Sequence, residues 1–332
     1  MNTHTQTDTG RVRHLRIDAG HAGQRIDNFL LRELKGVPKT RIYRLLRKGE
    51  VRVNGGRIDP TYRLQADDTL RLPPVRQSSE PKESRLPPKE MLQRLEAAVL
   101  YEDDKLLVLN KPSGIAVHGG SGISFGAIEA LRVLRPQARE LELVHRLDRD
   151  TSGCLMIAKR RSKLRALHEA LRSGRISKKY LTLLAGKLPR GSVPVEAALE
   201  KHQLQGGERM VRVTANGMQA RTVFRALQRY PQASLAEADI ATGRTHQIRV
   251  HALHIGHPVL GDDKYGDREQ NKLMRRHGLK RLFLHAHSLT IRLDDGEPEL
   301  TITAPLSPEL QSVLDRIAAG DVRTGKGELD AG

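Results

Sequence analysis

Apolar residues recur along this chain with two different periods, and the change of period divides it. In RIDNFLLRELK, residues 25 to 35, Ile26, Phe29, Leu30 and Leu34 fall on one face of a helix. Pro38 opens a second helix, PKTRIYRLLRKG, with Ile42, Leu45 and Leu46 inward and Gly49 as its stop. VRV-NGG-RID then reads as a hairpin-like turn and TLRL as a short strand. From 73 to 90, PPVRQSSEPKESRLPPKE has no apolar period and is rich in Pro, Ser and charge, which predicts an extended linker. Beyond it the apolar runs have strand length: LLVLN (106 to 110), CLMIA (154 to 158), YLTLLA (180 to 185), RMVRV (209 to 213), TVFRAL (222 to 227), LAEADI (235 to 240), LFLHAHSLTIRL (282 to 293) and ELTITA (299 to 304). Four stretches have helical spacing instead: SFGAIEALRVL, SKLRALHEALRSG, THQIRVHALHIG and SPELQSVLDRIA. Strands outnumber helices and do not alternate with them regularly. The fold class expected is therefore α+β, a mixed, largely antiparallel sheet domain preceded by a small α/β domain. The expected boundaries are 1–12 disordered, 13–75 the small domain, 76–92 linker, 93–319 the large domain and 320–332 a disordered tail.

Charge gives the small domain a purpose. The chain of 332 residues carries 57 Lys and Arg against 39 Asp and Glu, a formal charge of +18. Residues 11 to 76 hold 16 of those cations and 7 of the acids, so half the surplus lies on one fifth of the chain. Lys39, Arg41, Arg44, Arg47 and Lys48 flank the apolar stripe of the second helix, with Arg52 just beyond. A dense, one-signed run of this kind points to phosphate binding, and so to nucleic acid. A membrane partner is not expected, since no apolar run approaches the ~18 residues needed to span a bilayer. The N-terminal MNTHTQTDTGRVRH lacks the apolar stretch of a secretory signal. Cys154 stands alone, without an internal disulfide partner or a thiolate cluster, which suits a reducing cytosol. Its place in CLMIA reads as a small core residue.

The candidate chemistry lies in two stretches. LVHRLDRDTSGCLMIAK, 143 to 159, sets Asp148 and Asp150 among His145, Arg146 and Arg149, just before a turn and an apolar strand. A carboxylate on a loop framed by cations can serve as nucleophile or base. A kinase catalytic loop is excluded, because Leu147 breaks that motif and no Gly-rich loop or D-F-G accompanies it. Whether Asp148 and Asp150 form a glycosidase-like pair depends on a separation that a loop does not reveal. The second stretch is TGRTHQIRVHALHIGHPVLGDDKYG, 242 to 266. Thr245 is placed to cap a helix with Ile248, Ala252 and Ile255 inward, and Arg249 beside that face can reach a carboxylate. His246, His251, His254 and His257 suggest zinc, but no H-E-x-x-H or cysteine partner supports it and no metal is expected. HGGSGISFG, 118 to 126, lacks the G-K-[ST] of a phosphate loop, and no dinucleotide fingerprint follows a strand, so no cofactor is expected.

Taken together these strings resemble a known family. LNKPSGIAVHGGSG, HRLDRDTSG, KKYLTLLAG, GRTHQIRVH, HPVLGDDKYGD and LFLHAHSL are similar to the successive signatures of the large-subunit ribosomal RNA pseudouridine synthases, in the family's order, across most of 95 to 305. RIDNFL, TRIYRLLRKGEVRVNG and ADDTLRL resemble the small RNA-binding domain named after ribosomal small-subunit protein four. The resemblance implies that Asp148 is the catalytic aspartate, Tyr180 the active-site tyrosine and Arg249 the arginine that pairs with the aspartate. It implies that Arg146 helps hold RNA with the target base displaced, and that Lys111 and Pro112, with His145, support the site. The implied activity is site-specific isomerisation of uridine to pseudouridine in 23S ribosomal RNA, without a cofactor. The implied enzyme is a cytoplasmic monomer whose partner is that RNA or a large-subunit assembly particle. Transfer RNA is the rival substrate. Whether the aspartate attacks the sugar or removes a proton from it stays open at this level.

Overall fold

The computed structural model describes residues 11–34, 36–75, 86–120, 123–203, 209–293, 296 and 298–320. The chain forms two compact units, Met1–Arg85 and Leu86–Gly332. The tail expected from 320, apart from residue 320 itself, and most of the disorder expected before 13 lie outside the described residues, as do linker residues 76–85.

In the first unit, β1 (Arg13–Arg16), β2 (Arg52–Val53) and β3 (Thr69–Leu72) form an antiparallel sheet in the order β1-β3-β2 beside α1 (Ile26–Glu33) and α2 (Lys39–Lys48). The apolar stripes go inward as their spacing requires: Ile26, Phe29, Leu30 and Leu34 from the first helix meet Ile42, Leu45 and Leu46 from the second. Gly49 ends α2 with φ 68°, a left-handed conformation that costs glycine little. The hairpin expected over VRV-NGG-RID is only partly formed. Val53 and Gly56 close a tight turn, but the partner of β2 is β3, with Val53 opposite Leu70. The Asn54 side chain decides this. It donates to Asp68 and accepts from Thr69 N–H, which ties the turn to the later strand instead of to Ile58.

The second unit begins inside the expected linker, because Lys89–Glu96 is a helix, α3, whose Leu95 is fully buried. Residues 89 to 92 are therefore helical and not linker. After it come β4 (Val99–Glu102), β5 (Leu106–Lys111), α4 (Ala127–Leu134), β6 (Glu142–Leu143), β7 (Ser152–Ala158), α5 (Arg161–Arg172), β8 (Ile176–Ala185) and β9 (Ser192–Glu196). A hairpin of β10 (Leu199–Gln203) and β11 (Arg209–Val213) leads to β12 (Arg221–Arg229), β13 (Ala233–Ile240), α6 (Gln247–His254), α7 (Arg268–Arg276), β14 (Leu284–Ile291), β15 (Leu300–Thr303) and α8 (Pro308–Ala318).

Among the described residues one ten-stranded sheet runs β4-β5-β7-β14-β8-β13-β12-β9, with β15 on β14 and β6 on β7. Every pairing in it is antiparallel except β7 with β14. The fold is thus α+β with a largely antiparallel sheet. β7 is buried along its whole length, which is why SGCLMIA reads as a continuous apolar run rather than an alternating one. Cys154 sits in it as a core residue, its thiol pushed up to about 12 by burial. Gly153 has φ 106°, and a Cβ there would stand 2.2 Å from the carbonyl oxygen of Ala286, so the parallel crossing of β7 and β14 needs glycine. That crossing lies at the end of the loop carrying Asp148.

Candidate active site

Four segments converge beside this crossing. The loop between β6 and β7 carries Asp148, closed by a turn in which Thr151 N–H donates to the Asp148 carbonyl. The loop is braced from beneath. Lys111, fully buried at the end of β5, donates to the carbonyls of Pro112, Ile115 and Arg149, all at 2.9 to 3.0 Å. Burial pushes its ammonium down to about 7, against the pull of Asp150 and Asp148, while three carbonyl acceptors use all three of its protons. Ser113 adds a bond to the Asp150 carbonyl. Lys111 and Ser113 therefore brace the loop from below, while Pro112 is tied to it only through the Lys111 ammonium.

Tyr180 comes from β8, opposite Ala238 on one side and Ala286 on the other. Small neighbours leave the space its ring occupies. It is 7% exposed, and burial followed by the negative charge of Asp148 raises its hydroxyl, which stays protonated. Tyr180, Asp148, Arg146 and Arg249 line one small pocket of about 70 Å³. Beside it a cavity of about 750 Å³ also reaches Arg146, Asp148 and Arg249, and takes in Lys264, Lys280 and Arg281. Arg146 is exposed and borders both, whereas Asp150 pairs with Arg149 at 3.0 Å on the surface.

Arg249 enters from α6. Its Nη1 lies 3.2 Å from Oδ2 of Asp148, while Nε and Nη2 form a fork on Asp262 at 2.7 and 2.8 Å. Asp262 is wholly enclosed and also accepts from the amides of Lys264 and Tyr265. Burial opposes both charges, yet each holds the other: the guanidinium is raised and the Asp262 carboxyl lowered from its ordinary value. The guanidinium further lies over the Tyr265 ring, 4.9 Å from its centre. Asp262 and Tyr265 belong to HPVLGDDKYGD, but nothing in their spacing marks them as the arginine's support. The signal that points to them is chemical: a buried arginine needs a carboxylate of its own besides the reacting one.

Other expectations near the site change. Helix α6 starts at Gln247, not at a Thr245 cap; His246 precedes it in a left-handed conformation, and the Gln247 side chain holds the turn through Thr242 and the Arg244 amide. The four histidines go separate ways. His251 is a core residue between Thr222 and the Ala197 carbonyl, His257 bonds the Ala185 carbonyl, His254 is exposed and His246 faces Asp148. His145 accepts the Met156 amide on Nε2. In the first unit Lys39, Arg41, Arg44, Arg47 and Lys48 are all exposed on α2, and Arg52 is turned back toward the carbonyls of Gly49 and Gly55.

Two enclosed imidazoles give this unit a pH dependence. Burial pushes His145 down to about 3, and His285, between Ser152 and the Ala304 carbonyl, down to about 4. The unfolded chain protonates both near 6.5, so between 6.5 and about 4 it binds more protons than the folded one, and stability falls as pH is lowered. The loss approaches about 1.4 kcal/mol per histidine per pH unit over that window. Melting temperatures measured across it should decline, and His145→Gln, which keeps an acceptor for the Met156 amide, should flatten the decline. An unchanged slope in that variant would contradict this assignment.

Residues 105–254 match the family model described as RNA pseudouridylate synthase, and residues 24–70 the S4 domain. A ribosomal large subunit pseudouridine synthase C from Pasteurella multocida (strain Pm70) is 55% identical over 91% of this chain and 93% of its own length. The protein of the same name from Escherichia coli (strain K12) is 52% identical over 94% of this chain and 98% of its own. The chain belongs to the RNA pseudouridylate synthase family. It is an isomerase-family protein acting on RNA, with an S4 RNA-binding domain at its N-terminal side. Among solved structures, human RNA pseudouridylate synthase domain containing 4 aligns with a TM-score of 0.57 at 25% identity, over 69% of this chain and 96% of that one. Among the described residues no helix is long and apolar enough to cross a membrane.

Proposed function

We propose that this pseudouridylate synthase isomerises particular uridines of 23S ribosomal RNA, with Asp148 as the reacting group. The observation that carries the reading is the contact of Asp148 Oδ2 with Arg249 Nη1, 3.2 Å, at the wall of a pocket shared with Tyr180. The reaction breaks the bond from uracil N1 to the ribose anomeric carbon and forms one from that carbon to C5. N1 gains a proton and C5 loses one, so atoms and charge balance without an oxidant. The uridine must leave its stack to present this centre, at a cost of a few kcal/mol that is least in looped RNA. Arg146, exposed beside both cavities, is placed to hold the displaced strand. Tyr180 offers the uracil a ring face and a protonated hydroxyl. Asp148 acts on the sugar, and Arg249, itself locked by Asp262, balances its charge.

The S4 domain supplies affinity. The exposed cations of α2 bind phosphates, working on ribosomal RNA or a large-subunit assembly particle in the cytoplasm, and the enzyme acts as a monomer. Removing residues 1–85 should leave a folded catalytic unit that binds RNA more weakly. Its log affinity should depend less steeply on log salt, by about one unit of slope for each phosphate that α2 no longer neutralises. Filter binding at several salt concentrations measures this, and a truncated protein with unchanged slope would exclude α2 from the RNA interface. The substrate itself is tested by mapping pseudouridines in 23S ribosomal RNA from cells with and without the gene. Defined sites should vanish and return with the intact gene; a change confined to transfer RNA would refute the assignment.

A further inference from the structure

Two side chains approach the same oxygen of Asp148. Arg249 Nη1 lies 3.2 Å from Oδ2 and His246 Nε2 lies 3.8 Å from it, while Oδ1 makes no hydrogen bond among the described residues. His246 holds an unfavourable backbone conformation: φ 54°, ψ 19°, immediately before α6, with no capping bond from its side chain. Only Asn54 and Asp67 share a positive φ among the other described non-glycine residues. Such backbone persists where its surroundings over-determine it, and it clusters where a side chain must be aimed.

The surroundings here are a hydrogen-bonded chain. The Val211 amide of β11 donates to Tyr265 Oη at 2.9 Å, and Tyr265 Oη lies 2.7 Å from His246 Nδ1, the two rings meeting edge to face. The order of donors assigns the tautomer. Tyr265 Oη already accepts from Val211, so its own proton, buried, needs an acceptor, and His246 Nδ1 is the one within reach. Nδ1 is then unprotonated, and the proton of the neutral ring sits on Nε2, the nitrogen that faces Asp148. Burial, outweighing the pull of Asp148, lowers His246 and favours that neutral ring.

A carboxylate held by one donor still rotates, because the last torsion of an aspartate is broad. Two donors at different angles on one oxygen remove that freedom. We propose that His246 is a positioning residue: Tyr265 sets the tautomer that directs Nε2–H at Oδ2, so that His246 and Arg249 together fix the carboxylate and leave Oδ1 to meet the ribose. The gap closes to a hydrogen bond with a movement of roughly 1 Å, which substrate binding supplies by expelling water. This rests on Asp148 being the reacting group. It adds that its two oxygens are not equivalent, and that the β10–β11 hairpin reaches the reacting centre through one amide and two rings.

Two substitutions separate the ends of the ring. His246→Gln puts an amide nitrogen where Nε2 stood, keeping a donor toward Asp148 and losing Tyr265. His246→Asn puts its amide oxygen where Nδ1 stood, still accepting from Tyr265, tolerating the left-handed backbone and losing the donor toward Asp148. In single-turnover assays on a ribosomal RNA fragment, His246→Asn should lower kcat by about 10- to 100-fold with KM unchanged, the size expected of a misplacement near 1 Å. His246→Gln should stay within about threefold of the wild type. Tyr265→Phe should lower kcat by about two- to fivefold, since either tautomer then forms, and should add nothing to His246→Asn. Equal losses in the Asn and Gln variants, or a wild-type rate in His246→Asn, overturn the proposal. Asp148→Asn run in parallel separates the two readings. If it is inactive while His246→Asn is normal, only the role of His246 falls; if it is active, Asp148 is not the reacting group and both fall.

Discussion

Asp148→Asn should bind ribosomal RNA as the wild type does and form no measurable pseudouridine. The amide keeps the shape of the side chain and an oxygen for Arg249, and it removes the negative charge that attack on the sugar or proton removal requires. Losses on removing a reacting group are on the order of 10⁴-fold in kcat or larger. The fold should not register the change, since Arg249 keeps its fork on Asp262 at 2.7 and 2.8 Å. Reverse-transcription mapping of the treated RNA gives the activity, filter binding the affinity and a thermal melt the fold. Retained activity removes Asp148 from the role; loss of binding together with activity shows that its main work is structural.

The second large effect concerns Asp262, whose carboxylate is wholly enclosed. Asp262→Ala leaves Arg249 buried without its fork and frees the amides of Lys264 and Tyr265. Breaking a buried pair from one side costs about 3–5 kcal/mol. In a unit of this size that is a fall in melting temperature of about 6–20 °C, and activity should fall with it because Arg249 no longer points at Asp148. Replacing both partners separates the two consequences. Arg249→Met with Asp262→Leu should recover much of the lost stability, since apolar pairs of similar volume replace buried ion pairs at little cost, yet should recover no activity. A double variant as unstable as Asp262→Ala would show that the backbone amides, and not the guanidinium, are what Asp262 serves. Recovered activity would exclude Arg249 from the chemistry.

How far the elements can be read from the chain differs between them, for identifiable reasons. Strands carried by dense apolar runs, such as Ser152–Ala158 and residues 180–185 of β8, announce themselves because both faces are buried there. Ser192–Glu196 does not, because Pro194 speaks against a strand; it is tolerated there because this strand pairs on one side only, as the sheet's edge. Arg268–Arg276 offers only two apolar residues, the adjacent Leu273 and Met274, which are too few to show a period. It is helical because Asp267 caps it through the Gln270 amide, and it is useful because Asn271 holds Gly261 and Asp262 in place. The expected linker overlaps the first half of Lys89–Glu96, because its apolar face, Met91 and Leu92 with Leu95, covers barely two turns and directly follows the Pro- and charge-rich run.

Local pattern was therefore enough for the fold class, for the inward faces of both helices in the S4 domain and for the concentration of positive charge around α2. These depend on residues within a few turns of one another, and hydrophobic burial acts on each segment according to its own spacing. The resemblance to known signatures brought Asp148, Tyr180 and Arg249 forward one by one. Their assembly could not be read in that way. Asp148 and Arg249 stand 101 residues apart, and the carboxylate that holds the arginine and the tyrosine that orients His246 come from a further loop. An ion pair has no periodicity and leaves no trace in the spacing of its partners. It exists only once the β7–β14 crossing and the packing of α6 have carried those groups into the same few ångströms and excluded water from between them.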